Sequence, residues 1–241
     1  MDVKTEVLSR GIVFGSSRKS HGNMSLCYGP AQDSVKNRRV FLSELGIDYR
    51  ALVCAKQVHS DKIRYVTPFD SGKGALVYDT AIEDTDALIT DHPGLPLSIF
   101  SADCLVVFLF DPVKRALGLV HAGWRGTKQN IAAKTVGAMQ ERFSVDPRHL
   151  HAMLSPAIRS CCYEVGKEIR DFFPEYVIER EGRLYLDLAK ANKNTLLASG
   201  IKEENIFDSM VCTACNNDEF YSYRKEKDSS GRMMSVAMLI S

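Results

Sequence analysis

The sequence predicts an α+β protein in which strands and helices are mixed along one chain. Short apolar runs bounded by turn residues alternate with stretches of helical periodicity, without the regular βαβ spacing of a parallel fold. A chain of 241 residues can bury a substantial core without disulfides. No repeat, low-complexity tract or clear linker divides it, so we expect a single domain over residues 1–241.

The predicted elements follow from local patterns, with strands at short apolar runs and helices at three-to-four-residue periodicity. The predicted strands cover residues 7–14, 51–58, 87–90, 97–100, 105–110, 116–120, 150–154, 184–186 and 233–240. The predicted helices run from about Ser34 to Gly46, from a Thr127 cap to about Phe143, through Val165 and Phe172 to Pro174, and from an Asp187 cap to Gly200. Residues 67–85 predict a loop, and we expect Asp84 and Asp86 to be solvated turn residues.

The composition excludes several classes of function. A formal charge of +1 gives no global electrostatic reason to bind nucleic acid or an anionic membrane. The N-terminal segment lacks the apolar core of a signal peptide, and no apolar run is long enough to span a membrane. Seven scattered cysteines in a chain of this length indicate reduced thiols, so we expect a cytoplasmic protein.

Three side chains that can bind a metal stand at the ends of predicted strands. Cys104 precedes the strand over 105–110, His121 follows the strand over 116–120, and His59 ends the strand over 51–58. A thiolate and two imidazoles with an open fourth position suit catalytic Zn²⁺, and they also suit copper. Cys104 and His121 could also form a nucleophile and its base, or be a buried thiol and a hydrogen-bonded imidazole. Asp103 could orient a ligand or move a proton.

A glycine-rich turn directly follows His121 and opens a predicted helix. Glycines allow a ligand to approach the backbone, and the N–H groups at a helix start attract anions. The turn lacks the spacing of a P-loop. Arginines elsewhere could add paired hydrogen bonds to a phosphate. The resulting candidates for substrate or phosphate binding are Arg18, Gly123, Arg125, Gly126, Thr127, Tyr223 and Arg224.

A second group of cysteines invites a metal interpretation that the sequence does not favour. Cys212 and Cys215 have the CxxC spacing of a zinc knuckle, but a structural site needs a second pair. Cys161 and Cys162 are sequence neighbours and are poorly placed to chelate together. We therefore expect no metal site at Cys212 and Cys215, and no redox CxxC either.

These motifs resemble the family of multicopper polyphenol oxidoreductase, or laccase-domain, proteins, whose members are now regarded as zinc-dependent purine nucleoside phosphorylases. The resemblance extends from about Gly15 to the C-terminus, and its most specific word is HAGWRG. The matching words, in family order, are Lys56-Gln57-Val58-His59, Asp86-Ala87-Leu88-Ile89-Thr90, Ala102-Asp103-Cys104, His121-Ala122-Gly123-Trp124-Arg125-Gly126-Thr127, Pro156-Ala157-Ile158, Cys162-Tyr163-Glu164-Val165, Tyr221-Ser222-Tyr223-Arg224 and Gly231-Arg232.

The resemblance implies a layered α+β sandwich in which His59, Cys104 and His121 hold a catalytic zinc ion. It implies phosphorolysis of adenosine, inosine and methylthioadenosine, together with adenosine deamination, so the partners would be purine nucleosides and phosphate. This sequence departs from the family pattern at Ser155, where Gly is usual, and at Val106, where Pro is frequent. It also departs at Cys27, near an expected Asn.

Three other functions remain open at this stage. One is a cysteine hydrolase that uses Cys104 and His121. Another is a copper-dependent polyphenol oxidoreductase, which six histidines in the whole chain make less favourable than zinc. The last is a binding module that carries a relic site, which assays on a panel of nucleosides would distinguish from an enzyme.

Overall fold

The computed structural model describes residues 11–240, which form two large β-sheets, a small third sheet and several helices. Part of the predicted strand over 7–14 lies outside the described residues. The strands are β1 (Ile12–Ser16), β2 (Val53–Cys54), β3 (Ile63–Tyr65), β4 (Ala87–Thr90), β5 (Leu97–Ser101), β6 (Leu105–Asp111), β7 (Ala116–Ala122), β8 (His151–Leu154), β9 (Glu164–Val165), β10 (Val177–Arg180), β11 (Arg183–Leu186), β12 (Ile206–Asp208) and β13 (Met233–Leu239). The helices are α1 (Ala31–Glu44), α2 (Trp124–Lys128), α3 (Ile131–Phe143), α4 (Lys167–Phe172), α5 (Leu188–Ala198) and α6 (Tyr223–Glu226).

The six-stranded sheet has the order β12-β8-β6-β7-β4-β3 and is mixed, with parallel pairs at its two edges. Its centre is the antiparallel β6–β7 hairpin, which Asp111 closes by accepting hydrogen bonds from the backbone N–H groups of Val113 and Lys114 at 2.7 and 3.0 Å. The four-stranded sheet has the order β1-β13-β5-β2. The third sheet, β10-β11-β9, contains three short strands.

The two large sheets pack face to face, and helices cover their outer faces. Alternate residues of β6 point to opposite sides, as the two-residue period of a strand requires. Val106 and Phe108 face the four-stranded sheet, whereas Val107 and Leu109 pack with α3 and α5. Helix α1 covers the far side of the four-stranded sheet. The result is a layered sandwich, so the predicted α+β class is confirmed.

Burial on both faces explains why β6 and β7 appear in the sequence as continuous apolar runs. Every residue of these two strands is buried, including His121, which lies inside β7 rather than after it. The predicted strand over 51–58 is reduced to Val53 and Cys54, because the chain leaves the sheet early on its way to His59. No helix within residues 11–240 is long and apolar enough to cross a membrane.

The predicted helix from Thr127 to Phe143 is wrong in its first turn. Two helices occupy this stretch, and their N-caps are Gly123 and Asn130 rather than Thr127. Asn130 has a left-handed backbone with φ of 58°, which interrupts the helix. By contrast, the predicted Asp187 cap of α5 is confirmed, since its carboxylate accepts a hydrogen bond from Lys190 N–H at 3.0 Å.

The two departures from the family pattern at Val106 and Ser155 contact each other. The buried Ser155 hydroxyl accepts a hydrogen bond from the Val106 N–H at 3.0 Å. The Ser155 N–H donates to the Val106 carbonyl at 3.0 Å. A proline at position 106 would have no N–H to satisfy, and a glycine at position 155 would have no hydroxyl. The serine therefore supplies the acceptor that Val106 requires.

We expect Ser155→Ala to lower the free energy of unfolding by about 1–2 kcal/mol, because it leaves the buried Val106 N–H without a partner. Chemical denaturation measures this change. Ser43→Ala, at the exposed end of α1, is the matched control and should change stability by less than about 0.5 kcal/mol. Equal stability of the two variants would contradict the role assigned to Ser155.

Candidate metal centre and its surroundings

Strand register brings Cys104 and His121 together at one end of the central β6–β7 hairpin, and the turn that carries His59 meets them there. Leu105 pairs with Ala122 and Val106 pairs with His121, so Cys104, one residue before β6, lies beside the end of β7. The ligand atoms of His59, Cys104 and His121 all lie within 4.8 Å of one another. The two imidazole rings are 4.8 Å apart between centroids and nearly perpendicular. One sulfur and two nitrogen donors at this spacing fit a single metal ion with an open coordination position.

Backbone strain marks both turns that lead to this edge. His59 has φ of 60° and Asp103 has φ of 85°, a region that non-glycine residues enter at a cost of about 1–3 kcal/mol. Hydrogen bonds hold both turns in place. The His59 N–H donates to the Asp86 carboxylate at 3.0 Å, and the Asp103 carbonyl accepts from the Ile158 N–H at 2.9 Å.

Asp86 organises the centre, and the expectation that it is a solvated turn residue is wrong. Its side chain is 0% exposed. One carboxylate oxygen lies 2.8 Å from His121 Nδ1. The Asp86 carboxylate also accepts hydrogen bonds from the N–H groups of Val58, His59 and Ser60 and from the Ser60 hydroxyl. The backbone carbonyl of Asp86 accepts a hydrogen bond from the backbone N–H of His121 at 2.7 Å. One buried acid therefore fixes two of the three ligands.

The charges of the centre reinforce one another. Burial by itself would raise the pKa of Asp86, but the hydrogen bonds from His121 and Ser60 lower it to about 2. Burial would also raise the pKa of the Cys104 thiol, yet His121 and His59 lower it to about 6. Burial would lower the pKa of His121, whereas Cys104 and Asp86 raise it to about 9. Cys104 is therefore a ready thiolate, the form that binds metals and acts as a nucleophile.

Gly123 is required by the close approach of the turn to the ligands. A Cβ atom at this position would lie 3.1 Å from the Cys104 sulfur and 3.4 Å from His59 Cδ2. A Cβ at Gly126 would lie 3.2 Å from the Ser60 carbonyl oxygen and 3.3 Å from that of His121. The glycines of HAGWRG thus allow α2 to pack directly against the metal centre.

Thr127 holds α2 in place and has no free group for a phosphate. Its N–H donates to the Gly123 carbonyl at 2.8 Å, and its hydroxyl donates to the Ala122 carbonyl at 3.3 Å. The same hydroxyl accepts a hydrogen bond from the Asn192 amide at 2.9 Å. Gly126 is also buried. Thr127 is therefore not available to the predicted anion site. Arg125 is exposed, and its guanidinium lies over the Trp124 ring at 4.7 Å.

Asp103 connects the Cys104 turn to the C-terminal segment. Its carboxylate accepts a hydrogen bond from the Thr213 hydroxyl at 2.6 Å and another from the Arg224 N–H at 2.7 Å. Both oxygens are therefore engaged, which favours the predicted orienting role over proton transfer. The Arg224 side chain donates to the Glu164 carbonyl at 2.7 Å and lies 5.7 Å from the Tyr163 ring.

Tyr163 is a polar residue of this site to which the sequence assigned no role. Burial raises the pKa of its hydroxyl, and the negative charges of Cys104 and Asp103 raise it further. The positive charges of Arg224 and Arg125 oppose them, so the phenol lies within electrostatic reach of all four groups. The only sequence feature that pointed to Tyr163 is its position in the family motif Cys162-Tyr163-Glu164-Val165.

Two predicted substrate residues, Arg18 and Tyr223, contact other side chains. The Arg18 guanidinium forms an exposed ion pair with Glu219 and lies over the Phe220 ring at 5.8 Å. Tyr223 is 47% exposed, and its ring lies 6.0 Å from the Lys227 ammonium group. Among the contacts of residues 11–240, none joins Arg18 or Tyr223 to the three metal ligands.

Comparisons with known proteins agree with the sequence motifs. The chain is 37% identical over 223 residues to "Purine nucleoside phosphorylase YlmD" of Geobacillus stearothermophilus, covering 88% of this chain and 81% of that protein. It is 30% identical over 236 residues to "Adenosine deaminase RL5" from an unknown prokaryotic organism, covering 93% and 89%. These names confirm the prediction of an enzyme.

Solved structures confirm the fold. The crystal structure of YlmD from Geobacillus stearothermophilus superposes with a TM-score of 0.91 at 34% identity, covering 96% of this chain and 93% of that one. The Bacillus licheniformis hypothetical protein YfiH gives a TM-score of 0.91 at 34% identity, covering 95% and 92%. The family described as "Multi-copper polyphenol oxidoreductase laccase" matches residues 9–240. The chain therefore belongs to this family of laccase-like polyphenol oxidoreductase proteins, as the resemblance of its motifs predicted.

Proposed function

We propose that the chain is a zinc-dependent purine nucleoside phosphorylase that acts on adenosine, inosine and methylthioadenosine and also deaminates adenosine. One observation carries the proposal: His59, Cys104 and His121 converge within 4.8 Å in a protein whose relatives bear these enzyme names. Its seven free thiols favour the cytoplasm as its compartment.

The donor set supports zinc over copper. Two imidazoles and one thiolate suit either metal, but a multicopper oxidase needs several copper sites and many more histidines than the six in this chain. Within residues 11–240, the two groups of candidate ligands contain only two histidines, His59 and His121. A zinc ion held here would supply Lewis acidity at neutral pH without redox chemistry.

The residues around the ligands bind and orient the phosphate and the nucleoside. In phosphorolysis a phosphate oxygen attacks the ribose C1′ carbon, and the purine leaves with the electrons of the glycosidic bond. Arg125 and Arg224 supply positive charge for the phosphate, and Asp103 orients the backbone that carries Arg224. Tyr163, which stays protonated, can donate a hydrogen bond to the substrate. In deamination water instead attacks C6 of the purine, the bond between C6 and the amino nitrogen breaks, and ammonia leaves.

The experiment that tests the proposed function is an assay of the purified protein on adenosine, inosine and methylthioadenosine, with and without phosphate. Phosphate-dependent release of base, together with phosphate-independent formation of inosine from adenosine, is the expected result. Absence of both reactions in protein that contains zinc would overturn the proposal and favour a binding module.

A cysteine hydrolase is the second candidate, and one observation favours it. Cys104, His121 and Asp86 form a sequence of thiolate, imidazole and carboxylate like that of a nucleophilic triad. Cys104 cannot be both a zinc ligand and a free nucleophile. Protein purified without added zinc separates the two functions, because near-stoichiometric zinc that protects Cys104 from alkylation by iodoacetamide is incompatible with the hydrolase.

We expect Cys104→Ala to lose one zinc ion per chain together with both nucleoside activities, because the remaining two imidazoles hold zinc poorly. Elemental analysis measures the zinc, and the nucleoside assays measure activity. Cys27→Ser is the matched control, since Cys27 is an exposed free thiol outside both groups of candidate ligands. Unchanged zinc content in Cys104→Ala would remove Cys104 from the site.

We expect Asp86→Asn to weaken zinc binding about 10- to 100-fold, because the amide cannot match the charge and hydrogen bonds that orient His121. Competition with a chromogenic chelator measures the affinity. Asp84→Asn, two residues away and exposed in an ion pair with Lys62, should leave zinc affinity unchanged. Equal affinities of the two variants would show that the carboxylate does not support the metal.

We expect Arg224→Ala to reduce inosine phosphorolysis about 10²- to 10³-fold and adenosine deamination much less, because only phosphorolysis binds phosphate. Initial rates on both substrates measure the difference. Arg18→Ala removes an arginine already paired with Glu219 and should change neither rate. If both activities of Arg224→Ala fall together with the melting temperature, Arg224 only holds the C-terminal segment.

A further inference from the structure

A second cluster of thiols lies outside the metal centre. The sulfur atoms of Cys161, Cys162, Cys212 and Cys215 all lie within 4.8 Å of one another. Cys215 Sγ is 3.5 Å from Cys161 Sγ and 3.4 Å from Cys162 Sγ. The expectation that the CxxC motif lacks a second pair of cysteines is therefore wrong. Adjacent cysteines on a tight turn can both face the CxxC segment.

The backbone builds this cluster from two loops. Ala157 and Cys212 form an isolated parallel bridge, in which the Thr213 N–H donates to the Ala157 carbonyl at 3.1 Å. The N–H groups of Cys162 and Tyr163 both donate to the Arg159 carbonyl at 2.8 Å, which tightens the turn that carries the first pair.

The CxxC turn is closed in a similar way. The N–H of Asn216 donates to the Cys212 carbonyl at 3.1 Å, and the Asn216 side-chain amide donates to the same carbonyl at 2.8 Å. Hydrogen bonds thus fix both halves of the cluster independently of the sulfur atoms.

We propose that Cys161, Cys162, Cys212 and Cys215 form a second metal site, which binds one structural Zn²⁺ ion. Four thiolates around zinc at about 2.3 Å place neighbouring sulfur atoms about 3.8 Å apart in a tetrahedron. The separations of 3.4 and 3.5 Å are close to this value and are far longer than the bond of about 2.0 Å in a disulfide.

The ligand count distinguishes this site from the first one. Four protein ligands fill a tetrahedral coordination sphere, which is typical of structural zinc sites. Three ligands with an open position, as at His59, Cys104 and His121, are typical of catalytic sites. Soft thiolate ligands select zinc over hard cations such as Mg²⁺ and Ca²⁺.

The second site would join the two loops that form one wall of the first. Tyr163 directly follows the Cys161–Cys162 pair, and Thr213 lies inside the CxxC turn. The Thr213 hydroxyl donates to Asp103 at 2.6 Å, next to Cys104. The zinc ion at the four cysteines therefore fixes the positions of Tyr163 and Asp103 without contacting the substrate.

Counting zinc in variants of the full-length protein tests the proposal. We expect two zinc ions per chain in the parent and one in a His59→Ala, Cys104→Ala double variant that has lost the first site. A Cys212→Ser, Cys215→Ser double variant should also retain one zinc ion, whereas the Cys27→Ser variant should retain both zinc ions. A double variant of the first site that contains no zinc would overturn the proposal, and so would two zinc ions in Cys212→Ser, Cys215→Ser.

Cobalt substitution keeps the proposal testable if the cysteine variants do not fold. The folded double variant of the first site, stripped of metal and titrated with Co²⁺, should show thiolate-to-cobalt charge transfer that saturates at one equivalent. Absence of this absorption, or a disulfide found among the four cysteines by non-reducing mass spectrometry of the freshly purified protein, would overturn the proposal. None of these readouts depends on nucleoside activity, so the proposed function can fail without affecting the second site.

Discussion

The buried carboxylate of Asp86 is the interaction on which the candidate metal centre depends. A fully buried charge without partners would cost several kcal/mol, and this one is compensated by hydrogen bonds from the His59 turn and by the His121 imidazole. The same contacts hold His59 in its left-handed conformation. The hydrogen bonds that compensate the charge of Asp86 therefore also orient His59 and His121, and removing the carboxylate would disturb both.

The second constraint is the antiparallel register of β6 and β7. It places Cys104 opposite the end of β7, where Gly123 leaves space for the sulfur atom. Both strands are buried on both faces between the four-stranded sheet and the helices, so a shift of register would move apolar side chains into the wrong layer. The apolar core thus sets the relative positions of Cys104 and His121 at the ends of the two strands.

The two thiol sites differ in that the first suits reactivity and the second suits structural stability. The first has three candidate ligands in a strained, charged environment that suits catalysis. In our proposal the second has four ligands on hydrogen-bonded turns and joins two loops that lack the packing of the main sheets. Asp103 links the two regions, because it precedes Cys104 and accepts hydrogen bonds from Thr213 and Arg224. Such a connection stabilises loops that come from distant parts of the chain and together line the first site.

The sequence by itself determined the fold class and the central strands and singled out His59, Cys104 and His121 as candidate ligands, because periodicity and side-chain chemistry are local properties. Tertiary structure alone decided that Asp86 is buried, that Thr127 binds its own helix and that Arg18 pairs with Glu219. It also brought Cys161 and Cys162 to the CxxC pair about fifty residues later. The partner of a polar side chain depends on how distant loops pack, and no local pattern in the chain records that packing.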